Sequence, residues 1–292
     1  MRRTNFSQVG FTLIELVMVI MLTGLVMVIL SRMSAGQMEA YLATDSRAKL
    51  VNMAEMSLRK ITRDVREAVP NSVRVSGTAL EFVPIIEVAR YRSQDWNDAS
   101  SDYLDFSSAD SSFQVLGNIS QPPVGSRVVI YNFGWVDGMG PVAGANLYGE
   151  ASNGALSPSG SHVITPLGNE ITVSEAGQND LLTFDNPFQF ASSSPTKRLY
   201  IVQDAVSYVC GGGEIRRFSA YGLHSVQPID QTALPLSTAL NSALLVDHVF
   251  ACHFAYSSGV SQRNALLTIT LTLLDGGEQI RLIHQVHVSN RS

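Results

Sequence analysis

Residues 11–30 form an apolar run that contains a single charged residue, Glu15. Folded as an α-helix, a run of this length rises about 30 Å, which is the thickness of the hydrocarbon core of a bilayer. The run can therefore span a membrane. A carboxylate in lipid is costly unless a partner compensates it or it stays protonated, so Glu15 is a candidate functional residue.

The residues before this run predict its orientation. Arg2 and Arg3 make the short leader basic, and the positive-inside bias keeps such a segment in the cytoplasm. Everything after residue 30 is then expected on the other side of the membrane. The small residue Gly10 precedes the apolar run, whereas an ordinary secretory signal carries its small-residue cleavage site after it. Cleavage by a conventional signal peptidase at residues 34–36 is the alternative, and it leaves Glu15 without a purpose.

Residues 10–15, with the sequence GFTLIE, resemble the class III signal of type IV pilins and type II secretion pseudopilins. The resemblance implies that a prepilin peptidase cleaves after Gly10 and that the new N-terminus, Phe11, is methylated. It also implies that Glu15 pairs with the α-amino group of a neighbouring subunit. Opposite charges attract far more strongly in a low-dielectric helix bundle than in water. Such a head-to-tail contact does not close on itself and generates a filament.

The helix is predicted to continue to residue 69 and to end at Pro70. One apolar stripe recurs at spacings of three and four, at Val51, Ala54, Leu58, Ile61, Val65 and Ala68. The opposite face is predicted to carry Arg59, Lys60, Arg63, Asp64, Arg66 and Glu67. The chain thus divides into a cleaved leader (1–10), a membrane half of the helix (11–30), an amphipathic half (31–69) and a β-rich periplasmic head (70–292).

The head is predicted to be mostly antiparallel sheet. Strand-like segments occur at residues 127–133, 170–174, 199–208 and 249–256. The clearest pattern is a hairpin, in which residues 267–273 and 280–288 alternate on either side of a turn containing Gly276 and Gly277. The expected fold is therefore α+β, type IV pilin-like, with one long helix packed on an antiparallel sheet. Residues 93–125 and 136–194 are interpreted as long surface insertions poor in regular structure.

The two cysteines, Cys210 and Cys252, fall on the exported side and near the ends of predicted strands, so we expect a disulfide. In the chain-entropy model, closing a loop of about 43 residues stabilises a fold by roughly 4 kcal/mol.

No cofactor is predicted, although calcium stays open as an alternative in the first insertion. The carboxylates of that segment belong to Asp95, Asp98, Asp102, Asp105 and Asp110. Their spacing matches no EF-hand loop.

Charge and motifs argue against two other functions, nucleic-acid binding and catalysis, although an enzyme anchored in the membrane is the alternative to the latter. Residues 31–69 carry seven basic and five acidic side chains, whereas residues 70–292 carry eleven basic and nineteen acidic ones. An acidic head argues against a nucleic-acid partner, because phosphates require a cationic face. The chain has no nucleophile elbow, zinc-protease motif, phosphate loop or dinucleotide fingerprint, so we expect no enzyme.

Within the family, four segments resemble minor pilins of the mannose-sensitive haemagglutinin (MSHA) pilus: residues 70–75, 80–84, 89–92 and 284–288. This implies a low-abundance subunit that contacts other major and minor pilins and an inner-membrane assembly platform, and later lies in a surface pilus. A minor pseudopilin of type II secretion and a tip adhesin with glycan-binding insertions are the alternatives.

Overall fold

The computed structural model describes residues 10–93, 102–149, 161–258 and 265–290. This part of the chain contains one long α-helix, sixteen strands and two short 3-10 turns, Leu147–Gly149 and Leu236–Thr238. The mixed α+β class is therefore confirmed. In chain order the helix and strands are α1 (Leu13–Arg66), β1 (Arg74–Ser76), β2 (Ala79–Phe82), β3 (Glu87–Arg90), β4 (Asp110–Val115), β5 (Arg127–Val129), β6 (Val136–Asp137), β7 (Gly140–Pro141), β8 (Ile171–Ala176), β9 (Asn179–Phe188), β10 (Arg198–Val202), β11 (Val206–Gly211), β12 (Glu214–Ser219), β13 (Asn241–Val246), β14 (Val249–Ser257), β15 (Ala265–Asp275) and β16 (Glu278–Val288).

Helix α1 ends three residues before the predicted boundary. After Arg66 the backbone leaves the helical conformation at Glu67, and Ala68 forms a β-bridge with Pro84. The amide of Val69 then donates to the carbonyl of Val83 at 2.9 Å. Ala68 and Val69 therefore pair with the head instead of forming the last predicted turn of the helix before Pro70.

The second half of α1 packs on two sheets, of order β1-β2-β11-β12-β13 and β14-β15-β16. The predicted apolar stripe is buried in this core from Ala54 to Ala68, and Val51 packs partly buried against it. The predicted hairpin is present as β15 and β16, which pair from Ala265 opposite Val288 to Asp275 opposite Glu278. The main core of the head is thus the interface between helix and sheets.

The insertions are more regular than predicted, and this expectation was wrong. Sheets of order β3-β10-β5 and β4-β9-β8 enclose a second core that contains Phe113, Leu182 and Phe184. Strands β4, β8 and β9 lie within or across residues 93–125 and 136–194. We call the part of the head built on these two sheets the outer lobe.

Two predicted strands also differ from the structure. Residues 199–208 are not one strand but β10 and β11, which belong to different sheets. Strand β5 ends at Val129, because the chain turns through Tyr131 with a φ of 51°. Strand β14 covers the predicted segment 249–256, and β8 begins one residue after the start of the predicted segment 170–174.

A disulfide links Cys210 of β11 to Cys252 of β14, as predicted, with Cα atoms 6.5 Å apart. The two strands belong to the two sheets that hold the helix. The same pair of sheets also meets where the amide of Phe254 donates to the carbonyl of Gly77 at 2.7 Å. The disulfide therefore fixes one helix-packing sheet to the other.

Candidate functional site

The start of α1 brings the predicted processing and assembly residues within about one turn of one another. Gly10 and Phe11 precede the helix, and Phe11 is 82% exposed. The Thr12 carbonyl accepts hydrogen bonds from the amides of Glu15 (3.1 Å) and Leu16 (3.2 Å), which closes the first turn. Glu15 therefore lies in that first turn. The rest of the leader, residues 1–9, lies outside the described residues.

The segment that follows is long and apolar enough to span a membrane. It covers Leu13–Arg32, and none of it is buried against the head. Most of its large side chains, among them Ile20, Met21 and Leu25, are more than half exposed. A surface of this kind requires an apolar environment outside the single chain. Among the described residues, Glu15 makes no ion pair within this isolated subunit.

Asp64 is a structural residue that the sequence pattern missed. Although predicted on the solvent face of α1, it is only 8% exposed and points towards the sheet. Its carboxylate accepts hydrogen bonds from Lys60 Nζ at 2.7 Å, Tyr208 Oη at 2.7 Å and Arg217 Nε at 3.2 Å. Burial opposes the charge of Asp64, but the hydrogen bonds from Lys60 and Tyr208 outweigh burial and lower the pKa of this carboxyl.

A second buried ion pair joins β1 to β2. Arg74 and Glu81 lie opposite each other, and Arg74 Nε donates to Glu81 Oε2 at 2.5 Å. The Glu81 side chain has no exposed surface, and Tyr221 Oη donates to its second oxygen at 2.8 Å. Burial raises the pKa of Glu81 despite these two donors.

Arg74 also connects this pair to the surrounding loops. Its terminal nitrogens donate to the carbonyls of Ser225 at 2.7 Å and His224 at 2.6 Å. The guanidinium carbon lies 3.7 Å from the ring centroid of Tyr148, whose hydroxyl donates to the Ser72 carbonyl. In the sequence each charge lies between two apolar residues, Arg74 between Val73 and Val75 and Glu81 between Leu80 and Phe82. These apolar neighbours face the helix core, so strand alternation assigns the pair to the other face of the sheet and does not reveal its burial.

The predicted aspartate cluster is only partly described, because Asp95 and Asp98 lie outside the described residues. Asp105 accepts hydrogen bonds from the hydroxyls of Ser107 and Ser108, both at 2.7 Å. Asp110 Oδ2 accepts the Asp105 amide at 3.0 Å. These carboxylates therefore cap a turn, and no group of three or more metal-ligating side chains occurs in the searched, described part of the chain.

Two parts of the molecule therefore bear on function: an exposed apolar helix that begins next to Gly10 and Glu15, and a head fixed to the far half of that helix. Comparison of the chain with protein-family models, with curated proteins and with solved structures finds no match. The functional argument consequently rests on the residues of this chain and on their geometry.

Proposed function

We propose that this chain is a minor pilin that takes part in the assembly and initiation of a type IV pilus of the MSHA type. The resemblance of residues 70–75, 80–84, 89–92 and 284–288 is to MshO, a minor pilin of that pilus. The protein would be made as a prepilin, anchored once in the bacterial inner membrane with its N-terminus in the cytoplasm and its head in the periplasm. It would later join a pilus at the cell surface.

The observation that carries this proposal is the position of Glu15. It lies in the first turn of α1, at the start of an apolar segment that is not buried against the head, and the proposed cleavage position after Gly10 lies about one turn before it. Cleavage there creates a positive α-amino group at Phe11. A carboxylate and an ammonium so placed on each subunit can pair between subunits, because each chain supplies both partners at slightly different heights.

The bilayer around the helix explains why the charge pair would stabilise assembly. In the bilayer Glu15 has no water to stabilise its charge, so a neighbouring ammonium stabilises it strongly. Apolar helix surfaces that lie in lipid before assembly would then pack on the helices of other major and minor pilins. The prepilin peptidase and the inner-membrane assembly platform are the partners that this sequence of events requires.

We expect Glu15→Ala to insert in the membrane normally and to lose most of its incorporation into filaments. Membrane insertion would be measured by fractionation, and incorporation by immunoblot of sheared filaments. Gly10→Trp is the processing control, and it should retain the leader. Normal incorporation of Glu15→Ala would contradict the charge-pair mechanism, and a mature-length product from Gly10→Trp would contradict the cleavage site.

A deletion strain separates the pilus from a type II secretion pseudopilin, which shares the proposed helix and head. Surface pili would be counted by electron microscopy, and secreted enzyme activity would be assayed in the same culture. Loss of pili with normal secretion supports the minor pilin. Loss of secretion with normal pili would assign the chain to the secretion machine.

A tip adhesin is the second candidate because the head exposes aromatic and apolar side chains around β6 and β7. Next to the short hairpin of β6 and β7, Trp135 is 63% exposed, and Met139 at its turn is 97% exposed. If deletion changes neither pili nor secretion, saturable binding of the full chain to glycan or cell surfaces, abolished by Trp135→Ala, would support adhesion.

A further inference from the structure

Strand β16 forms one edge of the sheet β14-β15-β16, and no described strand pairs with its outer side. All of its residues, Glu278–Val288, pair with β15 without a register shift. Apart from this ladder, none of its backbone groups forms a hydrogen bond with the backbone of another described residue. Proteins usually protect so long an edge with a bulge, a proline or several charged side chains. Residues 282–288 have no bulge, no proline and no Asp, Glu, Lys or Arg, so this edge is open to an added strand.

The turn before β16 determines which of its backbone groups point outward. Gly276 and Gly277 form the whole loop between Asp275 and Glu278, and both have positive φ, 56° and 90°. Such a turn joins two residues that exchange backbone hydrogen bonds, and bonded pairs then alternate with non-bonded pairs along the ladder. Even-numbered residues of β16 therefore bond to β15. Odd-numbered residues from 279 to 287 direct their amides and carbonyls away from the sheet.

A cationic groove lies between β16 and the end of α1. Its cavity of about 440 Å³ is lined by Arg59, Thr62, Arg63, Arg66, Glu67 and His284. The three arginines follow one another at spacings of four and three, which places them on one side of the helix. We call this surface the arginine groove.

The positive charge of the arginine groove is not neutralised within the chain. Arg59 pairs with Glu55 at 2.8 Å, but the side chain of Arg59 remains 77% exposed. Arg63 and Arg66 are exposed and form no ion pair with any described residue. Glu67 is the single carboxylate of the lining, against three guanidiniums. The groove therefore attracts carboxylates from outside the chain.

The open edge and the arginine groove are placed to bind one ligand together. His284 faces α1, because it lies opposite Ile269 of β15, which is buried in the core that α1 covers. A strand added to β16 would lie about 4.8 Å from it. Every second side chain of that strand would point the same way as His284, towards the arginine groove. Carboxylates at these alternate positions match the charge of the groove.

We propose that the open edge of β16 receives an extended segment of another protein, and that carboxylates at alternate positions of this segment bind the arginine groove. Main-chain hydrogen bonds to the odd-numbered residues of β16 supply affinity in this mode of binding, and the arginines supply selectivity. The contact involves neither Glu15 nor the apolar half of α1.

Other occupants fit one of the two features but not both. A phosphate or a lipid headgroup satisfies the arginines and leaves the outward amides and carbonyls of β16 without a strand. A second copy of this chain could pair edge to edge with β16, but that pairing brings two arginine grooves together, and like charges disfavour it.

Peptide binding to the full chain in detergent tests the proposal by fluorescence anisotropy. The probe is a labelled seven-residue peptide in which Thr alternates with Glu, and the matched control has Lys in place of each Glu. We expect the acidic peptide to bind saturably and at least tenfold more tightly than the basic one. An acidic peptide N-methylated at every peptide bond keeps its charge but cannot donate main-chain hydrogen bonds, so its affinity should fall at least tenfold.

Charge reversal in the groove tests the role of the arginines. Arg63→Glu/Arg66→Glu should lower the affinity for the acidic peptide at least tenfold and should make the basic peptide the tighter ligand. The matched control is Arg90→Glu/Arg198→Glu, which reverses two exposed charges that face each other on β3 and β10. That control should leave both affinities unchanged.

Proline substitution tests the edge itself. Gln285→Pro removes an outward amide next to His284 without removing a bond to β15, and it should lower the affinity for the acidic peptide at least tenfold. Gln279→Pro removes an outward amide about 17 Å from His284 along the strand, and it should leave that affinity unchanged. Urea unfolding shows whether each variant keeps its fold, and the N-methylated peptide makes the same test on the wild-type chain.

Four outcomes would overturn the proposal. The first is an acidic peptide that fails to bind saturably or binds no better than the basic one. The second is binding that N-methylation leaves unchanged, because the carboxylates would then bind without an added strand. The third is displacement by inorganic phosphate at lower concentration than by unlabelled peptide, which would make the groove a phosphate site. The fourth is dimerisation that Gln285→Pro abolishes, which would place a second copy on the edge. None of these outcomes affects the proposed minor pilin, whose test is the incorporation of Glu15→Ala.

Discussion

Two buried carboxylates, Asp64 of α1 and Glu81 of the head, have pKa values shifted in opposite directions. Three donors surround Asp64, and together they outweigh the cost of its burial. Glu81 has two donors but no exposed surface, and burial dominates. The number of donors and the depth of burial, rather than residue type, thus decide which charge the fold favours.

We expect Asp64→Asn to lower the free energy of unfolding by about 1–3 kcal/mol at pH 7. The folded pKa of Asp64 lies below the unfolded value of about 3.9, so its contribution is complete above about pH 4. The contribution is lost as the pH falls through the folded pKa. Urea unfolding of the full chain in detergent should therefore show a smaller difference between variant and wild type at pH 3.

The control for Asp64 is the exposed pair of Asp45 and Lys49, which are 2.6 Å apart on the same helix. Asp45→Asn should cost less than about 1 kcal/mol at either pH, because exposed pairs contribute little. An equal loss for Asp64→Asn at pH 7 and pH 3 would contradict the role assigned to its ionised form.

Glu81→Leu should destabilise the head by about 3–5 kcal/mol, because it leaves the Arg74 guanidinium without its carboxylate in a largely buried position. Arg74→Met/Glu81→Leu should be less costly than Glu81→Leu alone. A double-mutant cycle of urea unfolding measures this coupling, and additive losses would show that the two residues act independently.

At the scale of elements, the strongly periodic segments were predictable, whereas β4 and β9 of the outer lobe were not. The stripe from Val51 to Ala68 and the alternation in β15 and β16 each repeat often enough to specify a helix or a strand. Strand β4 has only six residues, and a register irregularity interrupts its pairing with β9. Residues 199–208 read as one strand because only three residues separate β10 from β11.

The burial of single side chains at the edge of a periodic sequence pattern was harder to predict than the elements themselves. Asp64 is adjacent to Val65 and three residues from Ile61, so it falls at the flank of the apolar stripe. Helical periodicity alone assigns it to solvent. Its burial depends on Tyr208 and Arg217, which are distant in sequence and reach it only through the fold.

The disulfide should contribute roughly 4 kcal/mol to stability by closing a loop between residues 42 positions apart. We expect Cys210→Ala/Cys252→Ala to lose about this amount in urea unfolding under oxidising conditions. Reductant should lower the stability of the wild-type head and leave that of the double variant unchanged. A wild-type protein insensitive to complete reduction would contradict the stabilising role of this bond.

For the whole molecule, the division of α1 into an exposed apolar half and a half packed on the head predicts which part of the protein a protease can reach when the protein is in a membrane. One helix carries an exposed apolar half and a half buried in the head, without a break between them. External protease added to spheroplasts should therefore digest the head and leave a small membrane fragment that contains residues 11–30. A head that is protected until the membrane is permeabilised would reverse the predicted orientation.

The junction between β2 and β11 has a consequence for how this head can vary. Phe82 and Val206 lie opposite each other on paired strands, so the chain leaves and re-enters the helix-packing sheet at one point. In topological terms, the outer lobe is a long insertion between the two strands of a hairpin. Changes of length between residues 83 and 205 leave the register of β2 and β11 unchanged, so the same helix can carry heads of very different size and shape.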